Sequence, residues 1–258
     1  MLNFKEISKF YPQDQMWSRY HMIREYLQFK ILEIIFGSVQ GSKLSFIGGT
    51  ALRIIYQSGR FSEDLDFDNF DLSEEDFREL SEEIKKDLER EGYKVSVEAK
   101  VGEAFRCRVK FSDPLYQEGL SPHQDEKVLI QVDTTPHKFS YRPDNKILNK
   151  FDVFTQIRVT PSDILLSQKI YAAFNRARMM GRDFYDMVFL LSVTRPNYGY
   201  LKQKIDVGNA KELRDYLINK SCQLDFNRLA EDVEPFLIRA EDKKRVELFF
   251  DYIKQASF

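Results

Sequence analysis

Two carboxylates at alternate positions, Asp64 and Asp66, follow a glycine pair and a hydroxyl, Gly48-Gly49-Thr50, within the stretch FIGGTALRIIYQSGRFSEDLDF over Phe46–Phe67. Carboxylate oxygens are hard donors suited to magnesium or manganese. In Asp64-Leu65-Asp66-Phe67 the two-residue period of a strand sends Leu65 and Phe67 into a core and leaves Asp64 and Asp66 on the opposite face. The apolar run Leu44–Ile47 reads as a buried strand and Gly48-Gly49 as a tight turn. Thr50–Gln57 reads as a helix whose N-terminal N–H groups attract phosphate. Glycine pairs and exposed acids are each common. Their order here has a mechanical use: the turn and helix end hold a triphosphate while the acids hold the metal ions that bridge it.

A third acid, Asp133, closes the candidate strand Lys127–Asp133, whose apolar phase is Val128, Ile130 and Val132. Its polar phase is Leu129, Gln131 and Asp133, which places Asp133 at the strand end, where it could lie beside Asp64 and Asp66. There it would complete a metal site and orient or deprotonate an acceptor hydroxyl; otherwise it caps the turn at Thr134-Thr135-Pro136. Arg106, Arg108 and Lys110 form the polar phase of the strand Phe105–Phe111. Such a stripe either tracks an RNA backbone or is solvated and paired with nearby acids. His21, His123 and His137 are isolated from one another and show no pattern of a zinc ligand or catalytic base.

Apolar residues at spacings of three and four predict an amphipathic helix over Gln15–Phe36 that packs across the sheet, ended by Gly37. Ser73-Glu74-Glu75-Asp76 opens a second helix with a capping box, running to about Arg90 and stopped by Gly92. Tyr93–Ala99 pairs with Phe105–Phe111 as a hairpin, Asp113–Glu126 is a surface loop, and a further strand lies near Phe154–Val159. After Thr160-Pro161-Ser162-Asp163 the pattern is helical to the end. Lys169, Ala173 and Arg176 share one face of a helix over Ser162–Met180 that Gly181 ends, and Asp183 and Asp186 share a face of the next, Arg182–Leu191. That acid pair also suits a structural role beside Arg178 or Arg182. Further helices fall around Ala210–Asn219, Phe226–Leu237 and Glu241–Gln255, with Phe249, Phe250 and Tyr252 in the core. The expected fold is α+β: a mixed sheet flanked by helices over residues 1–159, then a helical bundle over 160–258, with nucleotide and metal in the cleft between them.

These motifs resemble those of the AbiEii/AbiGii-type nucleotidyltransferases, part of the DNA polymerase beta-like superfamily. Gly48-Gly49-Thr50-Ala51-Leu52 resembles the family's first motif, with threonine where many toxin members have serine. Arg60-Phe61-Ser62-Glu63-Asp64-Leu65-Asp66-Phe67 resembles the second, Lys169 lies in the third, and Gly181-Arg182-Asp183-Phe184-Tyr185-Asp186 resembles the last. The resemblance implies transfer of a nucleoside monophosphate from an NTP with release of pyrophosphate. Asp64, Asp66 and Asp133 would hold magnesium or manganese; Gly48, Gly49, Thr50, Arg60, Ser62, Arg182 and Asp183 would bind the nucleotide. Lys169 would contact its phosphates, and Asp186 would join the catalytic set. It further implies a toxin of a type IV toxin–antitoxin, or abortive-infection, system that modifies tRNA 3′ ends or other RNA and is paired with a separately encoded antitoxin. Two alternatives stand beside this: transfer to a small-molecule hydroxyl such as that of an antibiotic, and a non-catalytic protein that only binds nucleotide.

Composition sets outer bounds. A chain of 258 residues can bury a sizeable core, and a net charge of −2 argues against a protein coated in basic residues for nucleic acid. Cys107 and Cys222 form no C-x-x-C pattern, no apolar run reaches the length of a membrane span, and the N-terminal stretch lacks a signal-peptide core. A cytoplasmic protein away from membranes is expected.

Overall fold

The computed structural model describes residues 1–112, 114–117, 119, 123, 126–256 and 258. By internal contacts the chain forms two units, one of residues 1–51 and 62–159, the other of residues 52–61 and 160–258. The short segment 52–61 thus sorts with the helical half rather than with the sheet.

The first unit opens with helix α1 (Phe4–Ser8) and α2 (Arg19–Gly37), then strand β1 (Leu44–Ile47), helix α3 (Gly48–Tyr56), which leads into the second unit, and β2 (Leu65–Asn69). It continues with α4 (Glu74–Arg90), β3 (Lys94–Lys100), β4 (Phe105–Ser112), α5 (Pro114–Gln117), β5 (Val128–Pro136), β6 (Asp144–Lys150) and β7 (Val153–Val159). Among the described residues these strands form one seven-stranded mixed sheet in the order β3-β4-β5-β2-β1-β7-β6. β2 lies antiparallel to β1 and parallel to β5. The expected hairpin is β3–β4. Half of the predicted loop Asp113–Glu126 falls outside the described residues, and Pro114–Gln117 within it forms a single helical turn.

The apolar phases go inward as the alternation requires: Leu65, Phe67, Val128, Ile130 and Val132 are all buried. Phe67 packs between Phe46 and Phe36, with ring centroids 5.4 and 6.0 Å away. Helix α4 starts as its sequence dictates, Ser73 accepting from the Asp76 backbone and Asp76 from that of Ser73. Gly92, at φ 93°, follows its end. Helix α2 departs from the amphipathic expectation, because it is buried on nearly every face. Its charged residues are therefore paired: Glu25 accepts from Tyr11 at 2.9 Å and Lys150 at 2.6 Å, and Lys30 reaches Glu33 at 2.7 Å and Glu91 at 3.0 Å.

The second unit contains α6 (Ser162–Asn175), α7 (Gly181–Leu191), α8 (Tyr198–Ile205), α9 (Ala210–Ser221), α10 (Phe226–Val233), α11 (Lys244–Glu247) and α12 (Phe249–Gln255). Phe184 of α7 is its aromatic centre, edge-on to Phe174, Phe226 and Phe249 with centroids 5.0–5.6 Å away. Helix α6 stops at Asn175, five residues before its expected end, and Gly181 opens α7 instead of closing α6. A β-carbon at Gly181 would collide with the Leu229 carbonyl, so glycine is what lets α10 approach the start of α7. The segment 59–61 pairs with 236–238, Phe61 donating to the Phe236 carbonyl at 2.8 Å and Ile238 to that of Gly59 at 3.0 Å.

Candidate active site

In the first unit, β1 runs into Gly48, whose φ of 79° is a left-handed conformation that suits glycine. Helix α3 begins at that residue. A β-carbon on Gly48 would strike the Asp66 carboxylate, so the glycine leaves room for the acid beside the turn. Thr50 is buried, and its hydroxyl donates to the Asp64 carbonyl. As the structure stands, that hydroxyl holds the acidic turn.

Asp64 lies one residue before β2. Burial first, then the negative charges of Glu63 and Asp133, push its carboxyl above the usual range; Arg24 and a hydrogen bond from the Gln131 backbone act in the opposite sense. Asp66 is paired in register with Asp133 across the parallel β2–β5 ladder. Asp133 accepts from Arg106 Nε at 3.1 Å and from Gln131 Nε2 at 2.9 Å. All three acids are half-buried. Among the described residues, no three His, Cys, Asp or Glu side chains are gathered closely enough to hold a metal ion. The donor chemistry nevertheless suits one, since carboxylate oxygens are the donors a hard divalent cation takes and the β2–β5 register sets Asp66 beside Asp133, with Asp64 two residues before Asp66.

The cationic stripe on β4 is largely paired. Arg106 meets Asp133, Lys110 lies 2.6 Å from Glu98, and Arg108 stands opposite Glu98 in register. Two residues that the motifs did not single out support the acidic turn. Gln28 Nε2 donates to the carbonyls of Ser62 at 3.0 Å and Glu63 at 2.9 Å, and Arg24 pairs with the Glu63 carboxylate. The available signal was a set of polar residues in the middle of an otherwise apolar helix.

The remaining expected site residues belong to the second unit. Arg60 is 2 % exposed and makes a bidentate pair with Asp186, with both N···O distances 2.7 Å. Lys169 Nζ lies 2.7 Å from the same carboxylate and 3.2 Å from Asp183, which also meets Arg176 at 3.4 Å. Burial alone would raise the Asp186 carboxyl, but Arg60 and Lys169 overcome it and hold it below the usual range. Arg182 places its guanidinium over the Phe236 ring, 4.9 Å from the centroid. Asp64, Asp66, Asp133, Gly48, Gly49, Thr50 and Ser62 thus lie in the first unit, and Arg60, Lys169, Arg182, Asp183 and Asp186 in the second.

Among the described residues, no helix is long and apolar enough to cross a membrane. No curated protein matches the chain in sequence. Two crystal structures from Helicobacter pylori share its fold. One is of a candidate nucleotidyltransferase, with TM-score 0.60 and 17% identity, covering 92% of this chain and 96% of that one. The other is of JHP933, with TM-score 0.56 and 16% identity, covering 92% and 93%. The family model for the nucleotidyl transferase AbiEii toxin of type IV toxin–antitoxin systems matches residues 30–253, most of the chain. With the glycine turn, the paired acids and Lys169 all inside that span, the chain belongs to the AbiEii nucleotidyltransferase family.

Proposed function

We propose that this enzyme transfers a nucleoside monophosphate from an NTP to a hydroxyl of an RNA acceptor, the 3′ end of tRNA, in the cytoplasm. Magnesium or manganese would serve as cofactor and a separately encoded antitoxin as partner. The observation that carries the reading is the β2–β5 register, which pairs Asp66 with Asp133 next to Asp64. Asp64 and Asp66 would hold the divalent cation, with Asp133 as the third donor. When bound, that cation neutralises phosphate charge and polarises the phosphorus under attack.

The chain's own groups do the rest. The Gly48-Gly49 turn and the first N–H groups of α3 receive phosphate oxygens, where the helix end favours negative charge. Asp133 orients the acceptor hydroxyl and takes its proton as the new phosphodiester bond forms and pyrophosphate leaves. Ser62 is assigned to the same nucleotide through the turn it opens. In the second unit we assign Lys169, with Arg182 and Asp183, to the nucleotide, Lys169 offsetting charge on the leaving pyrophosphate. Asp186, itself clamped by Arg60, holds the Lys169 ammonium in place.

Incubation with magnesium, each α-labelled NTP in turn and total RNA, beside Asp64→Ala, tests this. Label on tRNA-sized bands that the variant does not produce is expected; a purified variant that still transfers would refute the assignment. The pairing of Arg106 and Lys110 with acids favours a second reading, because it leaves less free positive charge on that face for an RNA backbone. Transfer to a small hydroxylated molecule would then persist at salt concentrations that abolish RNA labelling.

A further inference from the structure

We infer, on the reading of Asp64 as a metal-holding group, that Gln28 and Arg24 of helix α2 are positioning residues that set Asp64 in place to receive the cation. Three successive carbonyls lead into β2, and each is taken by a side chain from elsewhere in the first unit. Gln28 Nε2 donates to Ser62 and Glu63, and the Thr50 hydroxyl donates to Asp64. The turn is therefore shaped by side chains as well as by the ladder that follows it. Arg24 fixes the intervening Glu63 by its carboxylate and is itself held by the Tyr20 hydroxyl at 2.6 Å, with its guanidinium over the Tyr20 ring.

Packing alone gives no reason for these residue types. Gln28 is 1 % exposed and Arg24 6 %, between apolar neighbours that include Ile23, Leu27, Phe29 and Ile31. A buried amide or guanidinium is unfavourable unless its hydrogens are satisfied, and an apolar residue would fill either place more simply. An amide carries two N–H donors, matching the two adjacent carbonyls that Gln28 meets. Helix α2 is a rigid mount for them, buried along most of its length. Groups that orient a metal-holding carboxylate change metal affinity and rate without touching the metal themselves.

The test compares wild type, Gln28→Met, Thr50→Val and Phe29→Leu. Gln28→Met keeps the volume and removes the donors; Phe29→Leu loosens the same helix beside Phe151 without touching the turn. Manganese binding to the nucleotide-free protein is read by electron paramagnetic resonance, together with kcat, KM for NTP and melting temperature. Gln28→Met is expected to bind manganese about 10-fold or more weakly and to lose kcat by a similar factor. Its KM for NTP should stay within about two-fold of wild type, and Thr50→Val should show the same loss of manganese affinity if Gln28→Met proves too unstable to purify. Phe29→Leu should bind manganese as wild type does, whatever it loses in melting temperature. Unchanged manganese affinity in both turn variants, or equal loss in Phe29→Leu, overturns the inference while wild-type transfer stands. A wild type that neither binds manganese nor transfers nucleotide would instead overturn the metal reading beneath it.

Discussion

Replacing Asp186 by asparagine removes one of two acids that hold three cations, Arg60, Lys169 and Arg176, in the second unit. The carboxylate gives both oxygens to Arg60 at 2.7 Å and lies 2.7 Å from Lys169, with neither Arg60 nor Asp186 more than 2 % exposed. An amide of the same shape has one accepting oxygen and turns a donor toward Arg60 or Lys169. Removing one partner of a buried ion pair costs about 3–5 kcal/mol, because the surviving charge stays buried. A change of about 1 kcal/mol moves the melting temperature by about 2–4 °C in a chain of this size, so Asp186→Asn should melt about 6–20 °C lower. Scanning calorimetry and urea unfolding at neutral pH would measure it. Because the folded Asp186 carboxyl is held below its ordinary value of 3.8, its contribution is complete above that value and disappears as pH falls through the depressed one. The gap between wild type and variant should therefore narrow only in strong acid. The double variant Arg60→Met with Asp186→Leu removes the pair together, leaves Lys169 with Asp183, and should recover much of the loss. A cost below about 1 kcal/mol for Asp186→Asn would refute the reasoning and mean that the carboxylate does not hold this group together.

Gly48→Ala should lower stability by about 1–2 kcal/mol through its left-handed backbone and displace Asp66, abolishing transfer; Gly102→Ala, with open space around it, is the control. Equal transfer by the two variants in the labelled-NTP assay would count against the Gly48–Asp66 contact. At the start of α4, the hydrogen bond from Lys43 and those from Ser73 hold the Asp76 carboxyl at about 2. Asp76→Ala should cost about 0.5–1 kcal/mol near neutral pH, a modest figure because the pair is partly solvated. A depressed carboxyl stabilises above its unfolded value and loses that effect as pH falls through the folded one, so urea midpoints of variant and wild type should converge between about pH 4 and pH 2. A pH-independent gap would assign the effect to packing.

The strands and their inward phases were legible because alternation survives wherever one face is buried, as in Val128, Ile130 and Val132. Strand β6 escaped notice because DNKILNK buries little besides Leu148, and an exposed edge strand leaves almost no apolar pattern. The early end of α6 was hidden for another reason. The chain from Arg176 onward carries no proline or glycine until Gly181, and the requirement for that glycine comes from α10, far along the sequence. Motif spacing marked the acids near β2, but their supports lie elsewhere. Gln28 looks in sequence like an exposed position on an amphipathic helix, and its two carbonyl partners appear only once α2 is buried. The bond between Arg60 and Asp186 spans 126 residues, beyond the reach of any local pattern.

The parallel pairing of β2 with β5 also has a consequence for synthesis. Asp66 gains Asp133 as its neighbour only after α4, β3 and β4 have been made and the chain has returned to the centre of the sheet, and β1 still awaits β7 beyond that. Parallel, non-local pairings form late, because the entropy of closing the intervening loop precedes any gain from contact. A chain still emerging from the ribosome, or one cleaved between β2 and β5 before the sheet closes, therefore carries the glycine turn and two of its acids without the third. For a family of toxins, such a sheet delays assembly of the carboxylate set until β5 has been made and has paired with β2.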